Sequence, residues 1–260
     1  MPELLEIELY RGAADAVVGR TITAVEAPDA WFLKGGLDEA ALTAALDRKR
    51  VVGTRRIGKL LLLDIDGAPP LGLRFGMTGR LIIDGGAPIA QLEYASSREL
   101  PQWDRFVLHF DDGGALRIND PRRLGGVELG PDVSALGPDA ASVTNAELAD
   151  ALRGSAAPLK ARLLDQHRVA GLGNLLVDEI LYRAGFDPAR PAGSLDGRER
   201  RRLHHHVIAT LGRLGARGGS HLGDLQAARV RGGRCPRDGS ELLRRTVGGR
   251  TTYSCPVHQT

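Results

Sequence analysis

The 260-residue sequence predicts an α+β multidomain protein: an N-terminal β-sandwich led in by a helix, then a helical domain ending in a cysteine-bearing β-hairpin. Three observations carry that expectation. Residues 20–130 hold a succession of β-rich runs broken by Gly, Asp and Pro. Further on, two segments with helical apolar period flank a Gly-Leu-Gly at 171–173. The last thirty residues carry two short Cys-x-x knuckles, at 235–238 and 255–258. The expected domains are 1–130 (β-sandwich), a linker 131–141, 142–230 (helical) and 231–260 (hairpin).

Composition bounds the function before any motif does. A chain that is 42% hydrophobic and 26% charged reads as a globular protein large enough for one big domain or two smaller ones. No apolar run reaches membrane-spanning length, and no charged stretch followed by an apolar one opens the sequence, so the expected location is cytoplasmic, with no membrane partner. The net charge is +3, yet the last thirty residues hold six arginines (Arg231, Arg234, Arg237, Arg244, Arg245, Arg250) against Asp238 and Glu241. The basic surplus therefore sits in the tail, which favours contact with nucleic acid there over a merely solvated basic face.

The first element is a helix running from the Pro2 turn through Leu9, Ala13, Ala14, Val17 and Val18, with Glu3, Glu6 and Glu8 at its positive end. Initiator methionine is usually removed before proline, which would leave Pro2 with a free secondary amine. Such an amine can attack an electrophilic sugar carbon and form an iminium, as lysine does in Schiff-base chemistry. An α-amino group titrates near neutrality, so an unprotonated fraction is available.

Strands are expected at Thr21–Ala27, Val51–Ile57, Leu60–Ile65, Leu71–Phe75, Leu81–Asp84, Arg105–Phe110 and Ala115–Ile118, with a short helix over Ala40–Leu46. Asp111-Asp112-Gly113-Gly114 is a hairpin signal between the last two strands. Lys59 sits between Gly58 and four leucines, at the start of a buried strand. Gly76-Met77-Thr78-Gly79 and Asn119–Gly125, which carries Arg122 and Leu124, read as turns at strand ends.

In the helical domain, Leu159–Gln166 and Asn174–Ala184 form a bent pair. Gly171 and Gly173 let the backbone turn without a Cβ clash and let another molecule approach it. Asn174 stands where an N-cap belongs, and bare amides at that helix start would suit a phosphate. Lys160, one of only four lysines, lies on the first helix of the pair. Leu195–Leu214 reads as a further helix. Its His204-His205-His206 point three ways, against a shared metal, so they read as solvated or phosphate-facing. At the end of the chain Cys235, Asp238, Cys255 and His258 form two knuckles separated by sixteen residues, the spacing of a four-ligand zinc ribbon.

The run LKARLLDQHRVAGLGNLLVDEILYRAGFDP (159–188) closely resembles the helix–two-turn–helix of the formamidopyrimidine-DNA glycosylase/endonuclease VIII (Fpg/Nei) family. The opening Pro-Glu-Leu-Leu-Glu, the Arg-Ile-Gly-Lys-Leu-Leu around Lys59 and the terminal knuckles resemble the same family. The resemblance implies a monomeric DNA glycosylase with AP-lyase activity by β- or β,δ-elimination, acting on double-stranded DNA that carries a damaged base or abasic site. It implies Pro2 as nucleophile, Glu3 as acid/base, Glu6 as supporting carboxylate and Lys59 as a catalytic-site phosphate contact. Lys160, Asn174 and Arg250 would hold DNA phosphates, Met77, Arg122 and Leu124 would fill the gap left by a flipped base, and Cys235, Asp238, Cys255 and His258 would hold one structural zinc ion.

Four departures from the family pattern qualify this. Leu5 replaces a second proline, Leu124 replaces a usual phenylalanine, and Asp238 and His258 replace cysteines. Only fourteen residues separate Ser220 from Cys235, where one branch has a longer loop over an oxidised purine. That shortness leans towards pyrimidine-type, hydantoin or bulky lesions. The same departures motivate the alternative of a non-catalytic DNA-damage binder on this fold, with a zinc-dependent RNA-binding module as a weaker third.

Overall fold

The computed structural model describes residues 2–90, 92–93 and 98–260. Met1, whose removal the Pro2 chemistry requires, lies outside the described residues. The chain forms two compact units, one of Pro2 and Glu6–Val133, the other of Glu3–Leu5 and Ser134–Thr260.

The first unit begins with α1 (Leu4–Ala14), most of whose length belongs to it, and continues with β1 (Ile22–Glu26) and α2 (Glu39–Leu46). Strands β2 (Val51–Ile57), β3 (Leu60–Ile65), β4 (Leu71–Arg74), β5 (Arg80–Ile83), β6 (Asp104–Phe110), β7 (Ala115–Asn119) and β8 (Gly126–Leu129) complete it. They form two antiparallel four-stranded sheets, ordered β1-β6-β7-β5 and β2-β3-β4-β8. Alternate residues of both sheets, among them Leu61, Leu63 and Ile65 of β3 and Phe106, Leu108 and Phe110 of β6, share one buried core with Ile7, Tyr10 and Ala14 of α1. That period of two is what a half-buried strand imposes. The 111–114 hairpin joins β6 to β7, where Phe110 N–H donates to Gly114 O and Gly113 N–H to Phe110 O.

The second unit holds α3 (Asn145–Leu152), α4 (Leu159–Leu164), α5 (Asn174–Ala184), α6 (Gly197–Arg217) and the hairpin of β9 (Leu243–Val247) and β10 (Arg250–Ser254). Its core gathers Leu159 and Leu163 of α4, Leu176, Ile180 and Leu181 of α5, and Leu203, Val207, Leu211 and Leu214 of α6. Leu4 and Leu5 join this core. Leu5 is 8% exposed, and a Cβ on Gly215 would stand 3.6 Å from it, so the leucine in place of proline buys packing. Segment 131–141 crosses the boundary between the units, and its Gly137 N–H donates to Gln166 O.

Several sequence expectations need correction. The first helix starts at Leu4, so Pro2 and Glu3 precede it rather than form its first turn. Strand β8 and helix α3 were not foreseen, although Thr144 and Glu147 spell the capping box that the structure forms at the start of α3. Asn174 is the first helical residue of α5, and Gly173 is its N-cap. His204 is not simply solvated, since its Nε2 lies 2.8 Å from Val143 O. No helix of the described residues is long and apolar enough to cross a membrane.

Candidate active site

Glu3 is fully buried. Its carboxylate accepts the N–H of Leu175 at 2.9 Å and of Leu176 at 3.1 Å, the second and third residues of α5. Charge-assisted bonds at the positive end of a helix dipole stabilise an anion there. The Gly-Leu-Gly is what makes the seat possible. A Cβ on Gly173 would lie 2.2 Å from Glu3 Cδ, and one on Gly171, at φ +106°, would lie 2.5 Å from Leu4 Cδ1. Leu4 N–H donates to Gly171 O at 3.1 Å, which fixes the incoming chain. The expectation that these glycines and amides await a phosphate is therefore corrected: the chain's own Glu3 occupies them. Glu6 is buried in the first unit, as is Pro2.

Lys160 requires a second correction. It is 0% exposed and not available to a phosphate, because its Nζ donates to Asp178 Oδ1 (2.7 Å), Thr252 Oγ1 (2.8 Å) and Thr251 O (3.2 Å). Burial pulls its ammonium below the ordinary lysine range, and the Asp178 charge opposes that fall. Asp178, also 0% exposed, takes Arg229 on its other oxygen and the Tyr253 N–H at 3.4 Å. Asn174 Nδ2 donates to Thr251 O at 3.3 Å. Residues 251–253 of β10 are thus clamped to α4 and α5. Beside them Arg250 is exposed, at the end of a tight turn in which Gly248 and Gly249 have φ +59° and +71°. A Cβ on Gly248 would come within 2.8 Å of Ala161, so the hairpin tip rests directly on α4.

In the first unit, Lys59 is half-buried in the two-residue turn between β2 and β3, after Gly58 at φ +57°. The turns carrying Met77, Arg122 and Leu124 meet on buried Asp120, which sequence reasoning did not single out. Its Oδ1 accepts the Thr78 hydroxyl (2.5 Å) and Arg122 N–H (3.2 Å), and its Oδ2 accepts Leu124 N–H and Gly125 N–H, both at 2.9 Å. Gly76 allows the approach, since a Cβ there would fall 2.4 Å from the Leu124 carbonyl carbon. Tyr10 Oη donates to Gly79 O at 3.2 Å and steadies the Met77 turn from α1. Met77 is half-buried, Arg122 is exposed and Leu124 is 48% exposed.

The four knuckle residues converge as the spacing requires. The donor atoms of Cys235, Asp238, Cys255 and His258 all lie within 4.8 Å of one another. His258 Nδ1 is 3.0 Å from Asp238 Oδ2 and 3.6 Å from Cys235 Sγ, and Cys255 Sγ is 3.1 Å from Asp238 Oδ2. Those separations approach the edges of a tetrahedron around one metal ion, about 3.3–3.8 Å for bonds of 2.0–2.3 Å. The set could hold a metal ion. His258 turns Nδ1 to the cluster while its buried Nε2 has no hydrogen-bond partner, so nothing pulls the ring away.

Comparison with known proteins decides the family. Residues 1–127 match the formamidopyrimidine-DNA glycosylase N-terminal domain and residues 134–223 match its H2TH domain. The chain belongs to the formamidopyrimidine-DNA glycosylase family. Among its relatives, the formamidopyrimidine-DNA glycosylase of Paracoccus denitrificans is 38% identical over 288 aligned positions that span both chains in full. That of Chloroflexus aurantiacus is 34% identical across all of this chain and 98% of its own. A Lactococcus lactis Fpg bound to abasic-site DNA superimposes with a TM-score of 0.82 at 28% identity, covering 99% of each chain. Thermus thermophilus MutM (Fpg) gives 0.82 at 32% identity over 99% of this chain and 98% of that one.

Within this family frame, the structure joins Asn174, Lys160 and Arg250 through one hairpin, and Met77, Arg122 and Leu124 through one carboxylate. The buried pairing of Asp178 with Lys160 and Arg229, and the role of Asp120, are what sequence reading missed. Asp120 was within reach, because an Asp at the head of a turn often caps amides two to five residues on. Asp178 and Arg229 lie fifty-one residues apart and left no local mark.

Proposed function

We propose that this chain is a base-excision-repair DNA glycosylase with AP-lyase activity on damaged bases in double-stranded DNA. The observation that carries the reading is the Glu3 carboxylate, seated on the α5 amides one residue after Pro2. In this reading the Pro2 nitrogen attacks C1′ as the bond to the damaged base breaks. Glu3, held as a carboxylate, takes the proton released from the amine and returns it to O4′ as the sugar ring opens to an iminium. Loss of a C2′ proton then expels the 3′ phosphate by β-elimination, δ-elimination expels the 5′ phosphate, and water hydrolyses the remaining iminium to free Pro2 and the unsaturated sugar aldehyde. Glu6 supports the charge beside the amine.

Lys59, Asn174 and Arg250 hold phosphates, with Lys160 acting behind Arg250 rather than at the DNA. Met77, Arg122 and Leu124 occupy the space left by the flipped base. Cys235, Asp238, Cys255 and His258 hold one zinc ion, which supplies folding energy to the hairpin and no reacting group. DNA as substrate puts the work in the bacterial cytoplasm.

Two experiments test this. On duplexes bearing an abasic site, a formamidopyrimidine, an oxidised pyrimidine or a hydantoin, wild type is expected to cut the damaged strand, and Glu3→Gln to bind without cutting. A wild type that binds these duplexes and cuts none would instead establish the non-catalytic binder. For the metal, the purified protein is expected to release one zinc per chain on thiol modification, and Cys255→Ser to release none and melt lower.

A further inference from the structure

Trp31 projects from the first unit with 67% of its surface exposed, in a chain with only one other tryptophan, Trp103. A single exposed aromatic is ordinary, but this one is mounted. Asp29 accepts the Trp31 backbone N–H at 3.1 Å and grips the Arg123 guanidinium through both oxygens at 2.6 Å. Lys34 Nζ lies 4.9 Å from the indole centroid and donates to Trp31 O at 2.6 Å. Behind it, buried Phe32 packs so closely on the next loop that a Cβ on Gly125 would stand 3.0 Å from its ring. The Trp31 turn is therefore fastened to the loop that presents Arg122 and Leu124.

We infer that Trp31 is a stacking contact for a nucleobase or sugar beside the gap, with Lys34 on the adjoining phosphate. The surroundings choose the occupant. Lys34, Arg105 and Arg123 outnumber Asp29, whose two oxygens are already engaged, and Glu128 beside Gly35 faces Arg74 at 3.5 Å. An indole face among cations suits a flat base flanked by phosphates, the pairing that binds nucleic-acid strands without reading their sequence. Leu124 on the neighbouring loop supplies the wedge, and Trp31 supplies the platform next to it.

The inference rests on the DNA reading above, and the experiment separates the two. A Trp103→Phe protein leaves Trp31 as the sole reporter and is titrated with a duplex holding a tetrahydrofuran abasic analogue. Trp31 emission is expected to fall, and its quenching by acrylamide to drop by about half or more, because stacking covers the ring. In the otherwise native chain, Trp31→Ala is expected to weaken duplex binding about tenfold, and Trp31→Phe by no more than about threefold. Unchanged acrylamide access at saturating duplex, or a Trp31→Ala protein within about twofold of wild type, would overturn the assignment. Failure of the wild type to bind the duplex at all would instead overturn the DNA reading.

Discussion

Two regions of this protein prepare for chemistry in opposite ways. At the start of α5 the proposed acid/base is buried and already seated: Glu3 has its amide donors, and Gly171 and Gly173 leave no room for a Cβ beside it. At the 120–125 loop the frame is finished and the functional groups are not. Asp120 is buried with four donors around it, while Arg122 is exposed and Leu124 keeps 48% of its surface uncovered. A carboxylate that must act at one atom gains from being fixed in advance, because its orientation then costs nothing at the moment of reaction. Side chains that enter a duplex, as proposed for Arg122 and Leu124, must stay uncovered, and the order lies in the loop beneath them.

The largest effect is expected from breaking the first region. Gly173→Ala drives a methyl into Glu3 and should lower abasic-site cleavage about a hundredfold or more, since an ångström of misplacement costs that much. Cleavage within a few-fold of wild type would show that Glu3 needs no such seat. Next comes the clamp on β10. Asp178→Asn leaves Lys160 and Arg229 buried without their shared carboxylate, and urea unfolding should report a loss of about 3 kcal/mol. Asp120→Ala strands four donors and should cost about 1–3 kcal/mol, with a matching loss of affinity for an abasic duplex.

A pH effect follows on the scale of a single ion pair. The Arg123 guanidinium, foremost among its partners, holds the Asp29 carboxyl below the usual aspartate range. The folded state thus binds this proton less readily than the unfolded one, so the Asp29 contribution is present above about pH 4 and is lost as pH falls through the depressed value. Asp29→Asn should flatten the stability profile below about pH 4 while leaving it unchanged in shape near neutrality. Smallest in stability is Leu124→Ala, expected within about 0.5 kcal/mol of wild type because the side chain is exposed. Its effect should show instead as weaker binding to a duplex with a base gap, and a stability loss larger than its binding loss would contradict the division drawn here.

How much of this was legible in the sequence depends on how local the cause was. Strands β2 and β3 and helix α5 begin and end where their apolar period and glycine breaks put them. The four residues that could hold a metal ion were readable because two short knuckles bring their own donors together. The Glu3 seat was not, because its partners are backbone amides 172 and 173 residues away, and any residue but proline at 175 and 176 would offer them. Lys160 misled for a related reason. A lysine on a helix normally faces water, and only the depth of the β10 contact turns this one inward.

The central claim is that Pro2, one residue before the seated Glu3, is the nucleophile. Its most direct test is borohydride reduction of the protein on an abasic-site duplex, with Pro2→Gly alongside. A covalent protein–DNA band for wild type, with its peptide mapped to Pro2 and greatly diminished in the variant, is the expected result. A wild type that binds the duplex and gives no band, or a band that maps to another residue, would contradict it.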